Sequence, residues 1–163
     1  MVTIRDARPE ELDAIRAMNQ AAQPAVSDLP REELDWFARE APYLRVADVD
    51  GRLAGFLIGL VPGAAYGSEN YAYFEANWDS WAYVDRIVVA DGFRGAGVGQ
   101  AFYADFERFA RERGASRITC EVNTRPRNET SLRFHARAGF REVGTQDTEG
   151  GKKTVSLLVK DLD

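Results

Sequence analysis

The order of apolar and polar residues predicts the elements of the first third of the chain. Residues 2–7 alternate between apolar and polar side chains, which is typical of a half-buried strand. Pro9, Glu10 and Glu11 suit the first turn of a helix, and apolar residues follow them at helical spacing. The further elements predicted here are a helix beginning near residues 28–30, a strand over 43–49, a hairpin turn at Asp50 and Gly51, and a strand over 53–61 that is apolar on both faces.

Strands and helices alternate more clearly in the second half of the chain. A long helix is predicted to end at Gly114, with Val98, Phe102, Phe106 and Phe109 on its buried face. A shorter helix is predicted to begin at Asn128 and to end before Gly139. The strands predicted in this half cover residues 83–89, 116–123, 140–143 and 154–159. This order predicts a mixed α/β (α+β) fold with helices on both faces of one sheet.

The composition is that of one ordinary globular domain, predicted over residues 1–163. Hydrophobic residues make up 45% of the chain and charged residues 29%, which excludes a disordered or collagen-like protein. A chain of 163 residues can bury roughly two-thirds of its unfolded surface.

The charge balance narrows the classes of partner. The 21 Lys and Arg residues against 26 Asp and Glu residues give a net charge of −5, which argues against a nucleic-acid binder. The longest apolar stretch, residues 53–62, is too short to cross a bilayer. Charge within the first six residues argues against a signal peptide. We therefore expect a cytoplasmic protein that binds neither nucleic acid nor membrane.

The chain has one cysteine, Cys120, and one histidine, His135. An internal disulfide is therefore excluded, and these two residues cannot form a His- or Cys-rich metal site. Cys120 shares a strand face with Ile118 and Val122, so we expect a packed core residue rather than a nucleophile. No metal is expected.

The most specific local signal is the glycine-rich turn between Arg94 and Gly99. Gly95, Gly97 and Gly99 lack side chains where a strand leads into a helix, so the backbone N–H groups can approach a ligand closely. A helix N-terminus favours an anion, and Arg94 adds a cation beside it. The pattern predicts a phosphate or diphosphate site. It lacks the glycine spacing of dinucleotide-binding folds, and the alternative is a tight turn without a ligand.

Two motifs give the sequence a resemblance to the GNAT superfamily of N-acetyltransferases. The first is the strand 83–89 followed by Arg94-x-x-Gly97-x-Gly99, which resembles the acetyl-CoA motif of that family. The second begins at Asn128 and ends at Phe140; it includes Ser131, Phe134 and His135. Both motifs occur in order, and the order of elements along the whole chain is similar. The resemblance implies a six- to seven-stranded, mostly antiparallel sheet with about four helices.

The resemblance also implies a binding role toward acetyl-CoA for each matched position. Backbone groups of Ile87, Val88 and Val89 would pair with the pantetheine arm. The diphosphate would be held by the backbone amides of Arg94, Gly95, Ala96, Gly97, Val98, Gly99 and Gln100. Asn123 and Asn128 would reach the pantetheine end, and Ser131 and Phe134 belong to the same set. Arg125, Arg127 and Arg133 are candidates for the nucleotide phosphate, or are simply solvated.

The implied reaction is direct acetyl transfer from a thioester to an amine. It requires a deprotonated amine and a polarised carbonyl, and a proton assists the leaving thiolate. The backbone amide near Val88 is the implied donor to the carbonyl. Asp85 is the candidate general base, acting through water; the alternative is that Asp85 pairs with Arg86 or another cation.

His135 stands where many relatives have a tyrosine that serves as the acid. A protonated imidazole could donate to the departing sulfur. A neutral imidazole could only hydrogen-bond it, and a buried histidine could simply pack its helix. Tyr83 and Tyr103 are the alternative acids.

An aromatic segment between residues 66 and 83 leaves two interpretations open. Acids among its aromatic residues would suit an amine substrate. Helical spacing after Ser68, a predicted N-cap, instead indicates packing or a homodimer face, which we favour. The residues at that spacing are Tyr71, Phe74, Trp78 and Trp81.

Taken together, the sequence predicts an acetyl-CoA-dependent N-acetyltransferase that acts on a primary amine of a small molecule. Two alternatives remain: a peptide or protein amine as the acceptor, and a non-catalytic acyl-CoA-binding sensor.

Overall fold

A computed structural model describes residues 1–163 as a mixed α/β fold with seven strands and five α-helices. The strands are β1 (Val2–Asp6), β2 (Tyr43–Val49), β3 (Arg52–Leu60), β4 (Trp81–Val89), β5 (Arg117–Arg125), β6 (Arg141–Thr148) and β7 (Lys153–Asp161). The helices are α1 (Leu12–Ala21), α2 (Arg31–Glu40), α3 (Glu69–Asn77), α4 (Val98–Glu112) and α5 (Glu129–Arg137). The sheet order is β1-β2-β3-β4-β5-β7-β6. The predicted fold class is confirmed.

Most of the strand pairs are antiparallel. The pairs β1–β2, β2–β3, β5–β7 and β6–β7 are all of this kind. The strands β4 and β5 pair in parallel, with residues 81–83 opposite residues 117–119.

The chain divides into two compact units. Unit 1 contains Met1–Leu60 and Val84–Arg108, and unit 2 contains Val61–Tyr83 and Phe109–Asp163. The single domain over residues 1–163 stays a prediction.

Unit 1 contains the predicted hairpin and a close approach of two strands. Asp50 and Gly51, with φ of 53° and 83°, turn β2 into β3, as an Asp-Gly pair does in a type I′ turn. Further along β3, a Cβ built on Gly55 would lie 2.3 Å from the carbonyl oxygen of Val88 in β4. Only glycine allows the two backbones to approach this closely.

A buried ionic group joins β2 to α4 within unit 1. The Asp105 carboxylate accepts hydrogen bonds from the Tyr43 hydroxyl at 2.7 Å and from Arg45 Nη1 at 2.7 Å. Burial, together with the bond to Asp105, raises the pKa of the Tyr43 hydroxyl, so this phenol stays protonated. Asp105 thereby gains the partners that a buried carboxylate requires.

Unit 2 contains a packed aromatic cluster formed by Tyr71, Phe74, Trp81 and Tyr83, all of them buried. The Tyr71 ring makes edge contacts with Trp81 and Tyr83, with centroids 5.4 and 5.5 Å apart. Ser68 caps α3 as predicted, since its hydroxyl accepts the Tyr71 N–H at 3.3 Å. Placing Trp78 and Trp81 on that helix was wrong, because α3 ends at Asn77, Trp78 is an extended residue that follows it, and Trp81 begins β4.

The burial of Cys120 and the character of the helices bear on two expectations from the sequence. Cys120 is buried, at 2% exposure, in agreement with a core residue. None of the helices combines the length and apolar character needed to cross a membrane.

Replacement of Gly55 by alanine tests the close approach of β3 to β4. Because the added Cβ would clash with backbone rather than with a movable side chain, we expect the free energy of unfolding to fall by about 2 kcal/mol or more. Gly67→Ala is the matched control, since a Cβ there meets nothing within 4 Å. Urea denaturation of both variants measures the difference, and equal stability would contradict the constraint.

Candidate active site

The glycine-rich turn of unit 1 has the backbone geometry that the sequence predicts. Gly95 and Gly97 have φ of 80° and 81°, a region that L-residues with a side chain rarely adopt. α4 begins directly after them, at Val98, and the Ala101 N–H donates to the Gly97 carbonyl at 3.0 Å. The first amides of a helix lack partners within the helix. These amides therefore form a site suited to an anion.

Arg94 is exposed at the rim of this turn. Its side chain is 66% exposed, and Nε lies 3.4 Å from an Asp91 carboxylate oxygen that is itself exposed. A pair of this kind contributes little to stability in water. Arg94 is thus available to an incoming anion, while the backbone supplies the fixed part of the site.

The backbone of β4 before the turn is held in position by β3. The Ala90 N–H donates to the Ala54 carbonyl at 2.8 Å, and the Val88 carbonyl lies against Gly55. Val88 is buried, whereas Ile87 and Val89 are half-buried. The strand is therefore fixed on one side by contacts within unit 1.

Asp85 lies on the same strand and pairs with its chain neighbour. Its carboxylate Oδ2 accepts from Arg86 Nε at 2.8 Å, and the side chains of Asp85 and Arg86 are 4% and 5% exposed. This is the ion pair that the sequence left as the alternative to a catalytic role. The sequence indicated Arg86 only as a partner of Asp85 and gave no sign of its other partners, which are far away in the chain.

The cofactor-binding residues that the sequence predicts in unit 2 lie on α5, directly before it and on β5. Asn128 caps the helix, since its Oδ1 accepts the Ser131 N–H at 3.2 Å. The Asn128 N–H in turn donates to the carbonyl of Asn123, a buried residue of β5. Phe134 is half-buried and makes an edge contact with His135, with centroids 5.3 Å apart.

His135 is a packed side chain with 2% exposure. Its Nδ1 donates to the Ser131 carbonyl at 2.8 Å, since a carbonyl can only accept, and its ring lies 5.1 Å from that of Phe140. Burial lowers the pKa of His135, against a smaller opposing effect of the Ser131 hydrogen bond. The neutral form is thus favoured at neutral pH, which favours the packing interpretation over the acid role.

The three arginines proposed for the nucleotide phosphate are engaged within unit 2. Arg125 donates to the Gly151 carbonyl at 2.7 Å. Arg127 and Arg133 both pair with Glu129, at 2.5 and 3.1 Å, and the first of these hydrogen bonds is the main cause that lowers the pKa of Glu129. Their side chains are all more than half exposed. These contacts agree with the solvated alternative.

The acids of the aromatic segment also have partners. Glu75 accepts the Gly63 N–H at 3.0 Å, and Asp79 pairs with Arg117 at 3.2 Å. Together with the buried aromatic cluster, these contacts favour packing as the role of this segment.

Glu121 was missed by sequence reasoning. Its Oε1 accepts from the hydroxyl of the buried Tyr83 at 2.7 Å, so one of the two alternative acids donates to a carboxylate. Glu121 alternates with apolar residues along its strand, and this pattern alone does not indicate a contact with Tyr83.

The structure contains no cluster of three or more His, Cys, Asp or Glu residues that could hold a metal ion.

Comparisons with known proteins agree with the two motifs. A sequence model of the acetyltransferase (GNAT) family matches residues 12–140. No curated protein sequence matches the chain.

Solved structures share the fold over almost the whole chain. Ard1 from Thermoplasma volcanium is 20% identical, with 99% of this chain and 98% of that chain covered and a TM-score of 0.81. The ribosomal-protein-S18-alanine N-acetyltransferase from Escherichia coli is 17% identical, with 100% and 95% covered and a TM-score of 0.75. A candidate phosphinothricin N-acetyltransferase is 23% identical, with 100% and 99% covered and a TM-score of 0.72.

The lowered pKa of His135 predicts how stability depends on pH. Because the unfolded chain binds a proton at His135 more readily than the folded protein, this residue lowers stability as the pH falls below the ordinary pKa of histidine. We expect the difference in unfolding free energy between wild type and His135→Gln to narrow from pH 7 to pH 5. Urea denaturation across that range measures it, and a constant or widening difference would contradict a buried neutral imidazole.

Proposed function

The chain belongs to the acetyltransferase (GNAT) family, and from this premise we propose that it transfers the acetyl group of acetyl-CoA directly to a primary amine of a small molecule. The observation that carries the proposal is the turn of unit 1, where Gly95 and Gly97 adopt positive φ immediately before the N-terminus of α4. That backbone suits the diphosphate of acetyl-CoA, because a run of amides binds an anion without a specific side chain.

The space around Gly95 and Gly97 bears on whether a diphosphate fits at this turn. A Cβ built on Gly95 would meet nothing within 4 Å, and one on Gly97 would meet only Gln100 Oε1, at 3.7 Å. The space that a side chain would occupy at these two positions is therefore largely free of the protein's own atoms. The amides from Arg94 to Gln100 are proposed to donate to the diphosphate, apart from that of Ala96, which donates to the Phe93 carbonyl at 3.3 Å. The exposed Arg94 side chain is proposed to add a positive charge.

When bound, acetyl-CoA supplies an acetyl group activated as a thioester. The backbone of Ile87, Val88 and Val89 is proposed to pair with the pantetheine arm as an added strand would. The Val88 amide is proposed to polarise the thioester carbonyl, so that negative charge developing on the oxygen meets a fixed donor. Asn123, Asn128, Ser131 and Phe134 stay predictions from the family resemblance.

Asp85 is proposed to accept the proton of the amine, through water. A primary amine is largely protonated at neutral pH and becomes a nucleophile only after losing that proton. The ion pair with Arg86 fixes the orientation of the carboxylate, which is a requirement for a base that must act in one geometry. For His135, its burial and its hydrogen bond to Ser131 support a packing role in this scheme.

Charge supports an amine acceptor of either kind, and the choice of a small molecule stays a prediction from the sequence. The net charge of −5 favours the approach of a cationic amine over that of an acidic partner. A peptide N-terminus or protein amine is the alternative acceptor in the same chemistry. A cytoplasmic location and a homodimer also stay predictions.

A non-catalytic acyl-CoA sensor is the second candidate. It is favoured by one observation, namely that the side chains of both Asp85 and His135 are engaged in internal contacts. Both candidates bind acetyl-CoA, so binding alone does not separate them.

Release of free thiol from acetyl-CoA in the presence of an amine panel tests the proposed function. The panel contains small primary amines, polyamines and short peptides with free N-termini. Turnover with small amines supports the proposal, and preference for peptides supports the alternative acceptor. Tight acetyl-CoA binding without turnover on any of them would establish the sensor.

Substitution at Gly97 tests the diphosphate site. Gly97→Val should lower the affinity for CoA at least about tenfold, because the side chain cannot adopt this φ without strain and would enter the anion site. Gly92→Val is the matched control, since Gly92 has a φ of 90° but precedes the proposed amide donors. Titration calorimetry with CoA measures both. Equal losses in the two variants, or none at Gly97, would contradict the site.

Asp85→Asn tests the proposed base. We expect kcat to fall about 100-fold or more, the usual contribution of a general base, with the affinity for CoA nearly unchanged. Asp105→Asn makes the same change in another buried ion pair of unit 1 and should reduce stability without a comparable loss of kcat. Initial rates at saturating acetyl-CoA decide, and near-wild-type turnover of Asp85→Asn leaves Asp85 with a structural role only.

A further inference from the structure

The guanidinium of Arg86 is buried and links two parts of unit 1. Its Nε donates to Asp85 Oδ2 at 2.8 Å, within β4. Its Nη1 donates to Asn19 Oδ1 at 3.1 Å, on α1, and to the Ser27 carbonyl at 3.3 Å. Ser27 belongs to residues 22–30, which connect α1 to α2 and are here called the α1–α2 segment. A single side chain thus contacts Asp85 and the backbone of that segment.

The Ser27 carbonyl receives a second hydrogen bond from Asn19, whose Nδ2 donates to it at 2.9 Å. Asn19 is fully buried, although asparagine residues are mostly exposed in proteins. Its amide thus bonds both Arg86 and Ser27. The three groups form a closed set of hydrogen bonds, in which each member orients the other two.

Further contacts surround the guanidinium from α2. A Glu33 carboxylate oxygen lies 3.8 Å from Nη2, and the Phe37 ring lies below the guanidinium with its centroid 5.8 Å away. The buried cation therefore has partners on β4, α1, α2 and the α1–α2 segment.

The remainder of the α1–α2 segment is held by side chains of α1. The Leu29 N–H donates to Gln20 Oε1 at 3.0 Å, and Arg16 Nε donates to the Leu29 carbonyl at 2.8 Å. These bonds fix the end of the segment near α2. Arg86 and Asn19 fix its middle, at Ser27.

The chemistry of arginine explains why this position requires that residue. A buried cation is costly unless its N–H groups find acceptors, and here they are directed at a carboxylate, an amide and a carbonyl in different directions. The guanidinium presents donors in a rigid planar fork, whereas lysine has a single ammonium centre. A lysine at position 86 could keep the pair with Asp85, but its ammonium lacks the planar fork of donors with which arginine also bonds the acceptors on α1 and the segment.

We propose that Arg86 is a positioning residue that holds the Asp85 carboxylate and the α1–α2 segment in one fixed arrangement, so that displacement of either displaces the other. The consequence for turnover rests on the proposed function, because Asp85 is the base only in that scheme. The physical link itself is independent of the reaction.

Hydrogen exchange tests the link without any substrate. In Arg86→Lys, we expect the amides of residues 25–29 to exchange at least about tenfold faster than in wild type, because the segment loses a buried anchor. Asp85→Ala, which removes the acceptor of the Arg86 Nε–H, should have the same effect from the other end of the link. If Arg86→Lys does not fold, Asn19→Ala is used instead, and the same faster exchange of residues 25–29 is expected. Unchanged exchange in the folded variants would overturn the proposal.

Kinetics test the effect on the base. For Arg86→Lys and Asn19→Ala we expect kcat to fall between about 10- and 100-fold, with the KM for acetyl-CoA changed by less than about twofold, as for a displaced catalytic group. Arg45→Lys is the matched control, since it alters another ion pair of unit 1, between Arg45 and the buried carboxylate of Asp105, and this pair does not include Asp85. It should change neither the exchange of the segment nor kcat.

Two results would overturn the positioning role. One is faster exchange of the segment with kcat unchanged, and the other is an equal loss of kcat in Arg45→Lys. Absence of turnover in wild type contradicts the proposed function instead, and the exchange experiment then still decides whether Arg86 links the segment to Asp85.

Discussion

Burial of the Arg86 guanidinium is the constraint on which much of unit 1 depends. A charge removed from water must find acceptors for its N–H groups, and those acceptors lie on a neighbouring residue, on α1 and on the segment after it. The position of Ser27 follows from this requirement, because its carbonyl is one of the acceptors. Replacing such a cluster by apolar residues is often neutral for stability, so the burial of this group is weak evidence that it stabilises the fold. The positioning role proposed for Arg86 rests on the geometry of its contacts instead.

The turn before α4 uses a different physical principle, since its chemistry lies in the backbone. Positive φ at Gly95 and Gly97 orients successive amides, and the start of the helix adds a positive dipole end. Such a site recognises charge and shape and needs no specific side chain. Recognition of the acceptor amine, by contrast, requires side chains, and this separation allows proteins of one family to share a cosubstrate and differ in acceptor.

The features predicted correctly from the sequence are those that depend on residues close together in the chain. The hairpin at Asp50 and Gly51, the caps at Ser68 and Asn128, and the buried stripe of α4 all follow from residues close together in the chain. Trp81 shows the limit of periodicity, because it continues the spacing of Tyr71 and Phe74 yet lies in a strand that packs the same cluster from another direction. Tertiary contacts outweigh local spacing there.

The partners of Arg86 could not be predicted from the sequence. Asn19 and Ser27 lie 67 and 59 residues away in the chain, and no local pattern indicates that they meet a strand residue. The pair with Asp85 was foreseen as an alternative because the two residues are adjacent. Identifying which carboxylates, amides and imidazoles are already engaged thus required the structure.

The His135 side chain is held in contacts with its own helix and with Phe140. This is compatible with acetyl transfer, because removing the proton of the amine is harder than protonating the departing thiolate. An amine with a pKa near that of lysine, about 10.4, is almost entirely protonated at neutral pH, so its deprotonation must be assisted or must precede attack. Thiols are more acidic than alkylammonium ions, as the reference pKa of cysteine, about 8.5, shows, so a thiolate can depart with less need of a proton. A base in a fixed orientation is therefore the greater need of this reaction. In the proposed function, the contacts of Asp85 with Arg86 supply such an orientation, whereas the neutral, packed imidazole of His135 stabilises α5 and takes no part in the chemistry.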